Sequence, residues 1–350
     1  MALHQLIQRL LLLGVRFESL PRLQEPTPPA RLAPLIESIA PEHRTFDLRA
    51  VHFGHRYRSG YWAIYVLSAF AVLFAVVPLA LGWDDSRHIL HPFVGLWEVG
   101  EVLVIATVGA IYWLGHRRDW QGQWLQARTT AELTWYLPLV APLVDFQGDT
   151  AVGDRANWYR SVYDPGEPLP SASEVETLCR RHDAMARKNL QDCWSDPTFV
   201  AHYAHWTIDI LEGQRRYHLH VAQKQHALLS RVHGLNSWLF GLTAVGASMH
   251  LMMHTLWLSL VTTFFPALGA SLHGALAQSE AYRLSVTSER LVTELHGAIA
   301  RIRRTIPGIE SLDAASIQEI KITIQAAVAQ ILKEHQDWHM LVRPHHLPLG

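Results

Sequence analysis

The chain has 350 residues, of which 49% are hydrophobic and 17% charged, and its formal net charge is −1. So balanced a charge gives no argument for direct binding of nucleic acid, and a mean hydropathy of only +0.06 excludes a protein lying wholly in a bilayer. What remains is a membrane core joined to a large water-exposed part.

In chain order, Leu6 to Val15 is apolar but short and leads into Arg16, Glu18 and a proline-rich stretch. It reads as an amphipathic helix rather than a cleavable signal. A first span is expected over Tyr61 to Leu81, after Arg56 and Arg58 and before Gly82, Asp84 and Asp85. A second covers Phe93 to Leu114 and ends at His116, Arg117 and Arg118. Spacings of three and four place Trp120, Trp124, Ala127, Ala131 and Trp135 on one helical face, so Arg117 to Val140 is expected to continue the second span. Residues 141–172 hold four prolines and three glycines and read as loop. Ser173, with Glu176 three residues on, has the form of a capping box opening a helix to about Trp194. After Pro197 the helical pattern runs unbroken into a third span, Trp238 to His254, which makes a stalk of ~58 residues or about 85 Å. A fourth span covers Trp257 to Ala277. From Val232 to Ser279 there are 48 residues with no Asp, Glu, Lys or Arg, room for two spans at ~20 residues each. Two helices close the chain. One runs from Ala281 to Thr305; the other runs from Asp313 to Val342 and buries Ile317, Ile320, Ile324, Val328 and Ile331.

The expected fold is therefore all-α: a four-span integral membrane protein with a helical cytosolic domain and long stalk helices continuous with the spans. The segments are 1–55 (N-terminal cytosolic), 56–116 (first transmembrane hairpin), 117–235 (cytosolic domain), 236–278 (second hairpin) and 279–350 (C-terminal helices). Arg56, Arg58, Arg117, Arg118, Arg231 and Arg283 flank one side of the spans, so that side and both termini are cytosolic. Trp62, Trp83, Trp97, Trp113, Trp238 and Trp257 mark span ends, where an amphipathic ring sits well. Cys179 and Cys193 lack metal-type spacing and read as reduced thiols.

Glu98 and Glu101 share a face of the second span, about 5 and 9 Å inside its outer edge at 1.5 Å per residue. Carboxylates at that depth face a cavity or a partner. They either line a pore, or form a shallow pair that reaches headgroups, Arg87 or a histidine. His250 and His254 are spaced to chelate or relay a proton but have no third ligand in sequence; the expectation is cavity lining and no metal. His335 and His339 repeat that spacing without the Glu of an HExxH zinc motif and read as an exposed helix face. Arg215, Arg216, Arg180 and Arg181 are doublets suited to phosphate, or to a solvated surface. Pro266 and Gly269 in the fourth span read either as a packing feature or as a hinge, and Gly274 with Ala270 makes a small-residue packing face. Phosphate-loop, dinucleotide, nucleophile-elbow and zinc-protease motifs are absent, so an enzyme is disfavoured and no cofactor is expected.

Four segments together, RYRSGYWAIYVLSAFAVL, HRRDWQGQWLQARTTAELTWYLPLV, GQRRYHLHVAQKQHALLSRVH and FFPALGASLHGALAQSEAYRLSVTSERL, resemble the SLATT-like group of bacterial multi-pass membrane proteins associated with SMODS and SLOG sensors. The resemblance covers about 44–300 and includes a register of Trp120, Trp124, Arg128 and Glu132 after a span. It implies an antiphage or conflict-system effector in the bacterial inner membrane. Such an effector would oligomerise and permeabilise the bilayer on a nucleotide signal. The expected partners are the lipid bilayer, further copies of the chain, and a cyclic-nucleotide-type ligand or sensor protein. The rival from another class is an anchor or docking platform for a cytosolic enzyme; a lipid-modifying enzyme using its histidines is a third reading.

Overall fold

Two uninterrupted helices set the architecture, and each is paired with a broken one. The computed structural model describes residues 2–15, 26–143, 172–253, 255–309, 313–342 and 347–348; the side chains of 172–175, 308–309 and 338–342 lie outside that description. The described residues are all-α, without strands. In our numbering α1 is Leu3–Leu11, α2 Ala33–Ala80, α3 Val94–Arg117, α4 Trp120–Val140, α5 Ala172–Leu190, α6 Pro197–Met253, α7 Trp257–Gln278, α8 Ala281–Ile309 and α9 Ala314–Val342.

The first hairpin sets α2, 48 residues long, against α3 and then α4. Pro34 in the first turn of α2 loses no helical hydrogen bond there. Phe74 covers Gly100, where an added Cβ would stand 2.6 Å from the ring. Further along, the Tyr57 ring rests 5.4 Å from that of Trp124, and His43 Nδ1 lies 3.1 Å from the Ala131 carbonyl. The expected single helix from the second span through Val140 is interrupted. Asp119 takes a left-handed backbone (φ 42°), and its carboxylate accepts from the Gly122 N–H at 3.1 Å, which starts α4 anew. Trp120, Trp124, Ala127 and Ala131 are buried on one face as their spacing predicts. Trp135 is not: 44% exposed, it lies against the His43 ring.

The second hairpin repeats the plan. The 57-residue α6, close to the length expected, lies along α7 and then α8. This partner too is broken at an acid in left-handed backbone, Glu280 (φ 51°). A left-handed non-glycine residue costs on the order of 1 kcal/mol, so both breaks are held by the packing around them. Ser173 lies inside the first turn of α5 rather than ahead of it, and α5 stops at Leu190, short of Trp194. Asp313 caps α9 by accepting from the Ser316 N–H at 3.1 Å. Ile320, Ile324, Val328 and Ile331 are buried as expected, Ile317 only half-buried. The expected loop 141–172 lies, beyond Leu143, outside the described residues until α5 begins.

Two apolar cores result. The body core joins Leu35 and Ile39 of α2, Tyr136 of α4, Cys179 and Leu190 of α5, Tyr203 and Leu211 of α6, Ile299 of α8 and Ile324 of α9. Tyr203 donates its hydroxyl to the Leu139 carbonyl, so even this buried ring leaves no polar atom unmet. Cys179 and Cys193 are buried free thiols. The second core, further along both hairpins, joins Tyr57, Tyr61, Trp62 and Ile64 to Trp120, Trp124, Leu228, Val232, Leu272 and Leu276.

Among the described residues three helices are long and apolar enough to cross a membrane, those within Ala33–Ala80, His91–Arg117 and Trp257–Pro307, which suggests a membrane location. The expected third span is not among them. Its described part stops at Met253, and Asn236, Thr243, Ser248 and His250 dilute its apolar character. It nevertheless runs beside α7 along its length: Gly246 faces Val261, and Asn236 faces Gly269.

Candidate functional site

A cavity of about 440 Å³ opens where the two hairpins meet, just below their apolar ends. That size suits a small organic ligand. From α2 it receives Tyr57, Arg58 and Tyr61; from α4, Trp124, Arg128, Glu132 and Tyr136. From α6 it receives Tyr217, His218, His220, Lys224 and Gln225; Gln8 of α1, Gln278 of α7, Ser288 of α8 and Glu334 of α9 complete it. Every helix that runs from the body towards the apolar ends thus presents a polar side chain to one chamber.

The local sequence explains the placement. Positions 124, 128 and 132 recur every four residues on α4, so one helical face carries Trp, Arg and Glu in a row. Arg128 pairs with Glu132 one turn on and reaches Asp47 at 3.8 Å. The Arg58 guanidinium lies 4.8 Å over the Trp124 ring, a cation–π contact. Gln278, the last residue of α7, donates its amide to the Tyr57 hydroxyl at 3.0 Å and so ties the second hairpin's break to α2. His218 Nδ1 and Ser288 Oγ are 3.3 Å apart across α6 and α8. Above the chamber α1 lies on α2 and α6. Its buried His4 sets Nδ1 3.1 Å from Ser59 Oγ and its ring 5.3 Å from that of His55.

The chamber's charges are poorly compensated. Burial lowers the pKa of Arg58, and burial with the nearby Arg58 and Arg9 lowers that of Lys224. Burial and the Arg128 charge hold the His218 imidazole neutral, its pKa down at about 4. Burial works against the Arg128 charge, yet Glu132, Tyr217, Tyr136 and Asp47 together more than offset it and leave the pKa raised. Glu132 is itself pushed up by burial. Glu334 is pushed up to about 7, by burial first and then by the nearby Glu132 and Asp337.

Glu334 yields a pH prediction. Its folded pKa exceeds the ordinary carboxylate value of 4.5, so the folded chain binds the proton more tightly than the unfolded one. It therefore costs stability progressively as pH rises from 4.5 to about 7, and by a constant amount above that. Glu132 and Arg128 of α4 and Asp337 of α9 act on it, and Arg58, Lys224 and His218 line the same cavity. Glu334→Gln is expected to raise the melting temperature at pH 8 and to leave it unchanged near pH 4. The gain at pH 8 is at most ~3 kcal/mol at 1.36 kcal/mol per pKa unit, less for solvent reaching the chamber. Thermal melts of both chains across that range check it; a difference independent of pH would contradict it.

The residues expected from sequence lie elsewhere. Glu98 is exposed and Glu101 half-buried on α3, and neither forms an ion pair or hydrogen bond among the described residues. His250 is exposed near the end of α6, and His254 lies outside the described residues. Pro266 is exposed within α7, which continues through it. Gly269 packs on α6, where a Cβ would stand 3.4 Å from Asn236 Oδ1; Gly274 packs on α2, 2.5 Å by the same measure from the Tyr65 ring. Arg180 pairs with Glu176, Arg181 with Glu42, and Arg215 with Glu212 at 2.9 Å, an acid that Arg303 also reaches at 3.3 Å. Arg216 is half-buried and makes no ion pair among the described residues. His335 is corrected from exposed to buried: its Nε2 lies 3.3 Å from Thr129 Oγ1 between α9 and α4. His339, His345 and His346 lie outside the described side chains. Among the described residues no three His, Cys, Asp or Glu gather as metal ligands would.

Sequence reasoning passed over Arg58 and Lys224 as binding residues, treating Arg58 only as a topogenic charge. The Trp124, Arg128 and Glu132 register was the signal for this face. No family model, curated protein or solved structure matches the chain.

Proposed function

We propose that this chain is a homo-oligomeric effector in a bacterial inner membrane, with both termini cytosolic, that opens an ion path when its helical body receives a signal. The observation carrying this reading is Glu98. The α3 face around it turns Leu96, Val99, Val102 and Ile105 outward, each more than half exposed, with the Glu98 carboxylate among them. A charge facing lipid costs ~2.5–3.5 kcal/mol at the bilayer centre and less at the shallow depth of Glu98, but still a penalty. Water or a neighbouring copy on that face removes the cost, and a ring of such carboxylates around a pore selects cations. The resemblance to SLATT-like membrane modules supports the same reading and assigns it to antiphage or conflict systems. The α6 end lies against α7 throughout, which favours both entering the bilayer and hence four spans. Membrane helices continuous with the body, α2 and α6, would carry the signal.

Planar-bilayer recording of the purified chain tests this. With a nucleotide or phosphate probe supplied as the signal, wild type is expected to conduct with a preference for cations, and Glu98→Gln with Glu101→Gln to reduce that preference several-fold. Conductance with unaltered selectivity removes the carboxylates from the path. Absence of conductance and of membrane depolarisation in expressing cells would leave the docking-platform reading instead.

A further inference from the structure

Arg58 and Lys224 enter the chamber from α2 and α6, one from each hairpin. Neither makes an ion pair or a hydrogen bond to a described side chain; the Arg58 guanidinium lies over the Trp124 ring, with Tyr57, Tyr61 and Tyr217 nearby. Arg128 has Glu132 and Asp47, so its charge is already answered. Two half-buried cations are thus set into the chamber with no ion-pair partner of their own among the described residues, an arrangement that favours an incoming anion. Gln225 adds a second observation: its Oε1 is buried without a hydrogen-bond donor among the described residues. An acceptor in that state suits a ligand hydroxyl or N–H. Of the chamber's two acids Glu132 is paired with Arg128, and Glu334, which opposes an incoming anion, carries only part of its charge near neutral pH.

We propose that the chamber binds a phosphate-bearing small molecule, its phosphate held by Arg58 and Lys224 and a hydroxyl or N–H of its remainder donated to Gln225. The guanidinium supplies a fork for two phosphate oxygens and the ammonium a point charge. At about 440 Å³ the chamber accepts a ligand of mononucleotide size. The same chemistry is offered by a free phosphate ester or by a phospholipid headgroup entering from the apolar end. Phosphate bridging Arg58 and Lys224 would draw the two hairpins together next to the α7–α8 break, where Ser279 and Gln278 also line the chamber. This deepens the effector reading by naming the chemistry of its trigger, and rests on that reading only for the consequence in the membrane.

Binding is measured on the full chain in detergent, by tryptophan fluorescence and thermal shift. The probes are AMP, inorganic pyrophosphate and short-chain phosphatidylglycerol. Wild type is expected to bind at least one saturably, with pyrophosphate competing. AMP or pyrophosphate binding identifies a soluble phosphate source; binding of phosphatidylglycerol alone identifies the headgroup. Arg58→Gln and Lys224→Gln are each expected to weaken binding about 10-fold or more, the usual loss for a charge-assisted hydrogen bond, while Arg216→Gln leaves it unchanged. Without ligand, both cavity variants are expected to melt at or above the wild-type temperature, because each removes an uncompensated charge. No saturable binding of any probe, or binding unaffected by both variants, overturns the proposal, as does a lowered melting temperature in both with binding retained. Binding without conductance would sink the pore reading alone.

Discussion

Replacing Gly234 by proline is expected to cost about 3 kcal/mol and to abolish signal-dependent conductance, whereas alanine at the same position is expected to stabilise by about 0.5–1 kcal/mol and preserve it. Gly234 lies on the exposed side of α6, above the chamber and before Trp238, and a Cβ added there meets nothing within 4 Å. Alanine therefore reports only the gain in helix propensity. Proline removes one N–H from the ladder and pushes against the carbonyl four residues back, so it breaks the helix without touching the chamber. Phosphate-probe binding should survive in both variants. Circular dichroism and melting in detergent give the stability arm; planar-bilayer recording gives the other. Equal conductance in the proline and alanine chains would show that α6 need not be continuous for the signal to pass.

Trp62→Ala is expected to be among the most destabilising single changes, at about 3–5 kcal/mol for a fully buried large aromatic. Trp62 has no exposed surface and belongs to the core that joins α2 and α4 to α6 and α7. Its Nε1 meets no acceptor in good hydrogen-bonding geometry among the described residues, although it interacts with the neighbouring Tyr61 hydroxyl. Trp62→Phe should therefore cost much less: it retains most of the ring contact and removes a buried donor whose isolation costs ~1–3 kcal/mol. Denaturation in mixed detergent orders the three chains as wild type close to Phe, with Ala far below. If Phe proves as damaging as Ala, the indole nitrogen has a partner that this account lacks.

Much of the fold could be read from the chain because it rests on local signals. The length of α6 followed from an unbroken helical period after Pro197, and α9 from the spacing of Ile320, Ile324, Val328 and Ile331. The break between α7 and α8 was expected between Ala277 and Ala281, but the one at Asp119 could not be read, since that residue type does not mark a left-handed backbone as glycine does. The apolar end of α6 shows the limit of hydropathy: its character is mixed, and its place is set by α7 beside it. The chamber was illegible for a different reason. Arg58, Arg128, Lys224 and Glu334 lie far apart in the chain, and only the packing of two hairpins brings them together. The Arg doublets drew attention because they are adjacent, yet Arg180, Arg181 and Arg215 are tied to acids of the body. Isolated charges with no helical partner one turn away would have been the better clue.

The unbroken length of α6 has a mechanical corollary. From Lys224 at the chamber to His250 near the far end is roughly 40 Å of rod at 1.5 Å per residue. A tilt of about 10° pivoting at Lys224 would carry the far end by about 7 Å, close to the 8–10 Å that separates packed helices. A displacement too small to disturb the body's core would thus be a full helix-width at the opposite surface. On the proposed reading the continuous helix would work as a lever whose moment arm is set by residue count, so a one-turn deletion between Gly234 and the chamber would shorten the throw while preserving the fulcrum.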